Sequence, residues 1–269
     1  MKSNPSGDAL PRELADAIAH AGDRLSRLAS HVVFLAITGS TNDVASALAA
    51  SGDREGAVVI ADAQTAGRGR RGHSWLSPAG SGLYVSVVLT PARARAGGDT
   101  ATTLVTLAAG VALAQGIEAA TGLRVDLKWP NDLYVVQRKL GGILAEGVAD
   151  AVVVGYGINV GATAFPPDLA GRATSLEGEL GRAVDRAHVL AETLASLAGR
   201  YDDLLDGRFD AILDEWRARA PGGRGARVSW TTPSGTQNGV TAGIDDRGAL
   251  LVDTGGRLER IVAGEVIWH

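Results

Sequence analysis

Residues 127–159 read LKWPNDLYVVQRKLGGILAEGVADAVVVGYGIN, and this stretch predicts a series of β-strands. Its strands are expected to be short, apolar and separated by turn residues. In order, we expect a strand at 123–129, a hairpin with arms at 133–137 and 141–148 around a turn at 137–139, and a buried strand at 151–158. The first strand stops at Pro130 and therefore delivers Asn131 and Asp132 to its end.

The segments on either side mix strands and helices. Upstream, apolar runs predict strands at 31–37, 57–61 and 82–89, and helical spacing predicts helices at 11–22, 42–50 and 102–121. Downstream, helices are expected at 184–205 and 209–219. This mixture of elements predicts a main domain of the α/β or α+β class over residues 1–221.

The pattern changes after the Pro- and Gly-rich segment 221–225, which is the best candidate for a linker. Beyond it, short strands are expected at 227–230, 239–244, 249–253, 258–262 and 266–268, with turns at 245–248 and 255–256. A run of short strands over roughly fifty residues predicts a small β-barrel. Residues 222–269 are therefore expected to form a second domain.

The composition of the chain excludes several classes of protein. With 269 residues, of which 45% are hydrophobic, the chain can bury a sizeable core, which rules out disorder as its main state. Its 26 basic and 30 acidic side chains give a net charge of −4, which argues against a surface devoted to nucleic acid or anionic lipid. Cys is absent, which excludes disulfides and Cys-bound zinc, and the five His show no metal-ligand spacing.

Two features bear on where the protein acts. Residues 1–10 lack the apolar core of a signal peptide. The most apolar long stretch, 103–122, carries Gln115 and Glu118, which favours a helix of the protein core over a membrane span. We therefore expect a cytoplasmic protein without a membrane partner.

Residues 64–75, QTAGRGRRGHSW, contain the strongest local signal for a binding site. Arg68, Arg70 and Arg71 fall within four positions of a Gly-rich loop, where Gly allows close backbone approach and Arg donates forked hydrogen bonds to carboxylate or phosphate. The alternative is a solvated basic loop. A P-loop is excluded because no Gly-Lys-Ser/Thr follows at the required spacing. Since the charges repel one another, we expect this loop to be mobile until an anion binds.

Lys is rare in this chain, which suggests that a compact ammonium is required where it occurs. Lys2, Lys128 and Lys139 are the three examples, and the other 23 basic residues are Arg. An ammonium on Lys139, at the start of an apolar strand, would be felt strongly by a nearby anion, although a surface Lys is the common alternative. Asn131 and Asp132 either cap a turn or bind a ligand.

Two further segments carry polar residues at element ends. Residues 155–161, GYGINVG, place Gly on alternate strand positions, which suits close approach of another group, and bring Asn159 to the end of the strand. Ser40, Thr41 and Asn42 precede or begin a predicted helix, where they either provide the N-cap or contact a polar ligand. Trp75 is either a core residue or a platform on which a base stacks.

Taken together, these segments resemble the biotin–protein ligases, also called biotin–[acetyl-CoA-carboxylase] ligases. The resemblance rests on the STN motif at 40–42, on GRGRRG within 64–75, and on KWPNDLY (128–134), RKLGGILAE (138–146) and GYGINV (155–160). It implies a mixed sheet with helices like that of class II synthetases and lipoyl ligases, followed by an SH3-like C-terminal β-barrel. It also implies a two-step reaction in which biotin and ATP, with Mg²⁺, form biotinyl-5′-AMP, from which biotin passes to a carrier Lys.

The resemblance implies roles for particular residues. It places Ser40, Thr41, Asn42 and Gln64 around the polar head of biotin. Arg68, Gly69 and Arg70 match the loop that closes over the biotin tail and the adenylate, and Lys139 matches the Lys that bridges the biotin carboxylate and the α-phosphate. Catalytic roles thus fall on Lys139 and Arg70. Nucleotide contacts fall on Arg71, Trp75, Lys128, Asn131 and Asn159, and Asp132 fits acceptor or phosphate handling.

The expected partner is the biotin carboxyl carrier domain of an acyl-CoA carboxylase. Family members that also repress transcription carry an N-terminal winged helix-turn-helix, whereas only 30 residues precede the first predicted strand here. We therefore expect the monofunctional type, without DNA binding. A biotin-responsive repressor, a lipoyl or octanoyl ligase of the same fold, and a non-catalytic acyl-binding module remain as alternatives.

Overall fold

The computed structural model describes residues 7–52, 54–162, 165–233 and 235–269; Lys2 and the rest of residues 1–6 lie outside these ranges. A seven-stranded sheet forms the centre of the larger part of the molecule. Its strands are β1 (His31–Thr38), β2 (Ala57–Gln64), β3 (Gly82–Leu89), β4 (Asp126–Lys128), β5 (Asp132–Val135), β6 (Arg138–Val148) and β7 (Ala151–Asn159). The strand order is β1-β2-β3-β7-β6-β5-β4. Because β1 and β2 are parallel and the other pairs antiparallel, the sheet is mixed, as expected.

Helices cover the two faces of this sheet unequally. The helices are α1 (Arg12–Ala21), α2 (Thr41–Ala50), α3 (Gly98–Thr121), α4 (Leu176–Leu180), α5 (Arg186–Leu205) and α6 (Phe209–Arg219). On one face α3 packs against α5, and their apolar side chains join alternate residues of β7, Val154, Tyr156 and Ile158, in the main core. On the other face α2 packs against β2, β3 and β7. Because successive residues of a strand face opposite sides of the sheet, positions 155, 157 and 159 face the side on which α2 packs. The candidate site lies on this side of the sheet.

Helix α3 is long and apolar enough to cross a membrane by length and composition alone. In the structure most of it is buried against other elements, and Leu104, Leu113 and Ile117 are completely buried. Burying one such side chain stabilises the fold by about 1.5–3 kcal/mol. The helix is therefore the central core helix of this molecule, as expected from the sequence.

The C-terminal residues form a second, antiparallel sheet. Its strands are β8 (Arg224–Thr232), β9 (Gly235–Ile244), β10 (Leu250–Asp253), β11 (Leu258–Ile261) and β12 (Val266–Trp268), in the order β11-β10-β9-β8-β12. Its apolar residues, including Trp230 and Leu250, belong to the same continuous core as the larger sheet. The small β domain expected from the sequence is thus present and packs firmly on the rest, while its division at residues 221 and 222 stays a prediction.

Several element boundaries differ from those expected. The hairpin turns at Val136 and Gln137, not at 137–139, so Arg138 and Lys139 lie inside β6. The strand expected at 123–129 is confined to β4, because the chain turns at Trp129 and Pro130. The short helix α4 was not expected, and the linker is a single 3-10 turn, Pro221–Gly223, that leads directly into β8.

Candidate active site

A cluster of neutral polar side chains lies where α2 begins. Ser40, Thr41 and Asn42 are each less than 5% exposed. Ser40 occupies the N-cap position in an extended conformation, but its side chain makes no capping hydrogen bond. The Ser40 hydroxyl therefore does not cap the helix. This favours the other interpretation of the sequence, in which it contacts a ligand.

Hydrogen bonds join this cluster to β2, β3 and the segment after the Arg-rich loop. The Gln64 carboxamide oxygen accepts from the Thr41 backbone N–H at 2.9 Å, and its Nε2 donates to Ser77 Oγ at 2.9 Å. Ser86 Oγ, fully buried on β3, lies 2.8 Å from Thr41 Oγ1 and 2.6 Å from Asn42 Oδ1. We call Ser40, Thr41, Asn42, Gln64, Ser77 and Ser86 the amide cluster. Apart from Ser40, its members hold one another in place through these hydrogen bonds.

Glycine on β7 makes room for the amide cluster. A Cβ at Gly155 would overlap the Asn42 side-chain amide, and a Cβ at Gly157 would overlap the indole of Trp75. The close approach expected from GYGINVG is therefore confirmed at both positions. Residues two apart on a strand are separated by about 6.8 Å, so Asn42 and Trp75 are neighbours on one face of the sheet.

The Arg-rich loop is folded by its own backbone. The Gly69 N–H donates to the His73 carbonyl at 2.7 Å, the Trp75 N–H donates to the Gly67 carbonyl at 2.8 Å, and a short 3-10 turn covers Arg70–Gly72. Arg71 has a φ of 56°, in the left-handed region that non-glycine residues seldom adopt. This turn makes the three Arg side chains diverge.

Each loop Arg meets a different partner, so they repel one another less than the sequence suggested. Arg68 forms ion pairs with Asp43 at 2.8 Å and with Glu146 at 2.9 Å, and Glu146 also accepts from Asn42 at 2.7 Å. Arg68 therefore borders the amide cluster. Arg71 reaches Glu265 of the C-terminal sheet at 3.6 Å. Mobility of the empty loop stays a prediction.

Arg70 points toward the start of β5. Its guanidinium donates to Asn131 Oδ1 at 3.3 Å, while Asn131 is fixed to β6 by a 2.8 Å bond from its Nδ2 to the Ile143 carbonyl. Burial lowers the pKa of Arg70, opposed by the negative charge of Asp132 and reinforced by Arg71. Among the described residues no carboxylate contacts Arg70 directly, and a partly buried cation of this kind attracts an incoming anion strongly.

Lys139 lies beside Asp132 and Trp75. Its Nζ is 2.7 Å from Asp132 Oδ1 and 5.7 Å from the centroid of a Trp75 ring, whose Nε1 is buried without a hydrogen-bond partner among the described residues. Trp75 is thus neither a pure core residue nor fully exposed. It forms a flat surface beside the ammonium, as a base-stacking residue would require.

Lys128 lies beside aromatic rings of both sheets, and its role as a nucleotide ligand stays a prediction. Its Nζ lies 4.8 Å from the ring centroid of Tyr134 and 5.4 Å from that of Trp268, which belongs to the C-terminal sheet. Burial lowers the pKa of Lys128, with Asp132 opposing and Lys139 and Arg172 adding to the shift. In the structure, Lys128 joins the two sheets by cation–π contacts. We call Arg70, Arg71, Lys128 and Lys139 the cation cluster.

Residues 172–174 lie alongside Lys139 and bond to its backbone. The Lys139 N–H donates to the Arg172 carbonyl at 2.8 Å, and the Thr174 N–H donates to the Lys139 carbonyl at 2.9 Å. Asn159, at the end of β7, donates from Nδ2 to the Thr174 carbonyl at 3.0 Å. Asn159 and Asn131 are therefore on separate sides of Lys139, each with its amide already engaged by backbone.

A cavity of about 240 Å³ lies between the two sheets. Arg70 and Asn131 line it from the larger sheet, and Arg247 and Arg260 line it from the C-terminal sheet. A shallower groove of about 710 Å³, lined by Asp99, Phe209 and Asp246 among others, contains none of the expected site residues. The residues chosen from sequence thus converge on one sheet face and on the cavity at its edge.

Several residues of this site were missed by sequence reasoning. Ser77, Ser86, Asp43, Glu146, Arg172 and Glu265 all contact predicted site residues. The one local signal was Ser86, a single polar residue in the otherwise apolar strand GLYVSVVL. Glu265 gave no signal, because only the packing of the two sheets brings it to the loop.

Comparisons with known proteins agree with this arrangement. Residues 34–162 match the biotin/lipoate A/B protein ligase family, and residues 225–268 match the biotin protein ligase C-terminal domain. The biotin–[acetyl-CoA-carboxylase] ligase of Mycobacterium tuberculosis is 37% identical over 265 residues, covering 95% of this chain and 94% of that protein. The bifunctional ligase/repressor BirA of Bacillus spizizenii is 36% identical over 266 residues, covering 95% of this chain and 79% of that protein.

A solved structure extends the likeness to the whole fold. The biotin protein ligase of Aquifex aeolicus in complex with biotin and ATP superimposes with a TM-score of 0.77 at 29% identity, covering 89% of this chain and 99% of that one. The matched family and this structural likeness place the chain in the class of biotin and lipoate ligases. Within that class, the chain belongs to the biotin protein ligase family.

Proposed function

We propose that this protein is an ATP-dependent ligase that attaches biotin to a specific Lys of a biotin carboxyl carrier domain of an acyl-CoA carboxylase. The observation that carries the proposal is the meeting of the amide cluster and the cation cluster on one sheet face, linked through Arg68 and Trp75. A neutral ring system with a carboxylate tail and a nucleotide triphosphate need these two environments side by side.

In the first step the biotin carboxylate attacks the α-phosphorus of ATP, the bond to the β-phosphate breaks, and pyrophosphate leaves. Two anions must be brought together, so fixed cations have to offset their repulsion. Lys139 would bridge the carboxylate and the α-phosphate, which requires it to leave or share Asp132 Oδ1, now 2.7 Å away. Arg70 would bind the adenylate as it forms, and Arg71 would bind the departing pyrophosphate.

In the second step the carrier Lys amine attacks the acyl carbon of biotinyl-5′-AMP, AMP leaves, and a proton is released. Asp132 is the carboxylate already in contact with Lys139. We assign Asp132 the role of positioning the incoming carrier Lys, because one carboxylate can pair with the ammonium of Lys139 or with that of the carrier Lys in turn. No nucleophilic side chain of the protein takes part.

For the substrates, Ser40, Thr41, Asn42 and Gln64 would bind the ureido head of biotin, with Arg68 and Gly69 over its tail. Trp75 and Asn159 would face the adenine, and Lys128 and Asn131 would lie on the phosphate side. Mg²⁺ would enter as part of MgATP. Within the described ranges no group of three His, Asp or Glu side chains could hold a metal, so the phosphates would supply most of its ligands.

The test is incubation with MgATP and labelled biotin, with and without an unmodified carrier domain. We expect pyrophosphate release without the carrier and covalent labelling with it. Labelled lipoate or octanoate in parallel decides the nearest alternative, because the matched family includes lipoate ligases. Labelling by lipoate in preference to biotin would contradict the proposal.

We also propose that the protein acts in the cytoplasm and does not bind DNA. The net charge of −4 opposes binding to nucleic acid. A gel shift at low salt with a biotin operator fragment, run with biotin and ATP present, tests the second point. Retarded DNA would favour the bifunctional ligase/repressors instead.

A further inference from the structure

The turn between β5 and β6 exposes an apolar residue in an unfavourable backbone conformation. Val136 is 76% exposed and has a φ of 55°. The left-handed region is uncommon for any residue with a Cβ and least suited to a β-branched one. Gly or Asn would relieve the strain at a turn of this kind, yet the chain has Val. Strained residues of this sort concentrate at functional sites.

This turn lies next to the chemistry. Lys139 is three residues from Val136 on the same hairpin, which corresponds to about 10 Å along a strand. Tyr134 and Lys139 are cross-strand partners, and Asp132 begins the other arm. An acceptor Lys that reaches the adenylate beside Lys139 and Asp132 would bring its own protein domain close to this hairpin.

Two Arg side chains lie close to the tip, and one of them is paired with a carboxylate. Arg172 is exposed beside the first residues of β6, and its charge acts on both Lys128 and Tyr134. Arg138, the residue before Lys139, is half-exposed and pairs with Glu179 at 2.8 Å. A partner that places an apolar pocket over Val136 is therefore best matched if its surrounding surface is acidic.

A second turn in the same sheet shows what is special about Val136. The hairpin between β6 and β7 turns at Ala149, which also has a positive φ, 50°, and is exposed. It lies at the far end of the eleven-residue strand β6, away from Lys139. The two turns share their backbone strain, but only the one beside the site presents an exposed, branched apolar side chain.

We propose that Val136 is the anchor by which the acidic face of the biotin-accepting carrier domain docks on the ligase, with Arg172 beside it. This inference rests on the proposed function. Burial of one Val side chain at the contact is worth roughly a tenfold change in affinity. The contact acts on the second substrate alone, since neither biotin nor ATP needs to reach the turn.

The experiment compares three variants with the unaltered protein in carrier biotinylation and in carrier-free pyrophosphate release. For Val136→Asn we expect the KM for the carrier to rise roughly tenfold, with pyrophosphate release unchanged and the melting temperature raised by about 2–4 °C as strain is relieved. Val136→Thr keeps the shape and the strain but replaces one of the two apolar methyl groups with a hydroxyl. It should raise the KM without raising the melting temperature.

Ala149→Gly is the matched control, because it relieves the same strain at the distant turn. It should raise the melting temperature and leave the KM for the carrier unchanged. An unchanged KM in both Val136 variants would overturn the proposal. So would a change in sedimentation of the protein alone on Val136→Asn with an unchanged KM, since a second copy of the chain would then be the partner. Absence of carrier labelling by the unaltered protein would instead contradict the proposed function.

Discussion

The amide cluster and the cation cluster share one face of one sheet but are held in different ways. Members of the amide cluster bond mainly to one another, and three of its residues at the start of α2 are buried. Members of the cation cluster do not share partners: Arg70 bonds to Asn131, Arg71 to Glu265, Lys139 to Asp132, and Lys128 lies between two rings. Arg71 and Glu265 are more than half exposed.

This difference teaches how one surface can serve two kinds of ligand group. A neutral polar ring is recognised by buried donors and acceptors, which must be positioned in advance because unpaired buried groups are costly. A phosphate chain is recognised by charge, which acts over longer distances and tolerates movement. Exposed ion pairs contribute little stability, so cations can exchange protein partners for phosphate at small cost.

The contrast is tested most severely by Lys139→Ala, for which we expect the largest effect. Removing the ammonium leaves Asp132 uncompensated where the biotin carboxylate and the α-phosphate would meet. Loss of one such electrostatic contact lowers kcat by about 10²–10³. The measurement is carrier-free pyrophosphate release. Normal release would refute the role of Lys139.

The matched control for this variant is Lys128→Ala, which removes the other described Lys of the segment. Because Lys128 contacts rings of both sheets, we expect it to lower the melting temperature and to affect pyrophosphate release far less than Lys139→Ala. Equal losses of activity would show that the two ammonium groups act as one unit, and the cation cluster would then need to be redrawn.

Arg70→Gly should have the next largest effect, and on retention of the intermediate more than on its formation. A charge-assisted hydrogen bond contributes about 1.5–3 kcal/mol, so escape of biotinyl-5′-AMP should accelerate roughly 10- to 100-fold. The test is a filter assay of bound adenylate over time. Arg71→Gly is the comparison variant. Because the Arg71 side chain points toward Glu265, its loss should accelerate the escape of biotinyl-5′-AMP less than the loss of Arg70 does. Unchanged retention in Arg70→Gly would count against its role.

Much of this arrangement was predictable from the sequence, and the limits have physical causes. The strands, the Arg-rich loop and the close approach at Gly155 and Gly157 follow from local periodicity and residue size, which a short window of sequence contains. The partners of each Arg do not, because Glu146 and Glu265 reach the loop only through the packing of distant elements. The turn at Val136 was misplaced because Val disfavours the conformation that it adopts there.

Ser86→Ala should have a smaller effect, directed at biotin alone. It deprives Thr41 Oγ1 and Asn42 Oδ1 of a buried partner. An unpaired buried group costs about 1–3 kcal/mol, so we expect the KM for biotin to rise about tenfold and stability to fall by a similar free energy. The KM for ATP should stay within about twofold. An equal rise in both constants would show that the two clusters are not separate in function.

Ser51→Ala is the control for the loss of a hydroxyl at the other end of α2. Its Oγ donates to the Leu48 carbonyl at 2.8 Å, outside the site. Because water can replace that contact at an exposed helix end, both KM values should be unaffected and stability should change by less than about 0.5 kcal/mol.

Glu265→Gln should have the smallest effect on activity. It tests how strictly the protein positions a member of the cation cluster, Arg71. The pair with Arg71 is 3.6 Å long and exposed on both sides, so its loss should cost less than about 1 kcal/mol. Because Glu265 competes with the phosphates for Arg71, the KM for ATP should fall about two- to threefold at low salt, and the difference should shrink as salt screens the pair. Glu259→Gln, which loosens a pair with Arg257 inside the C-terminal sheet, should leave the KM unchanged. A tenfold or greater rise in Glu265→Gln would mean that Arg71 is positioned as strictly as the amide cluster, and the contrast between the two regions would then fail.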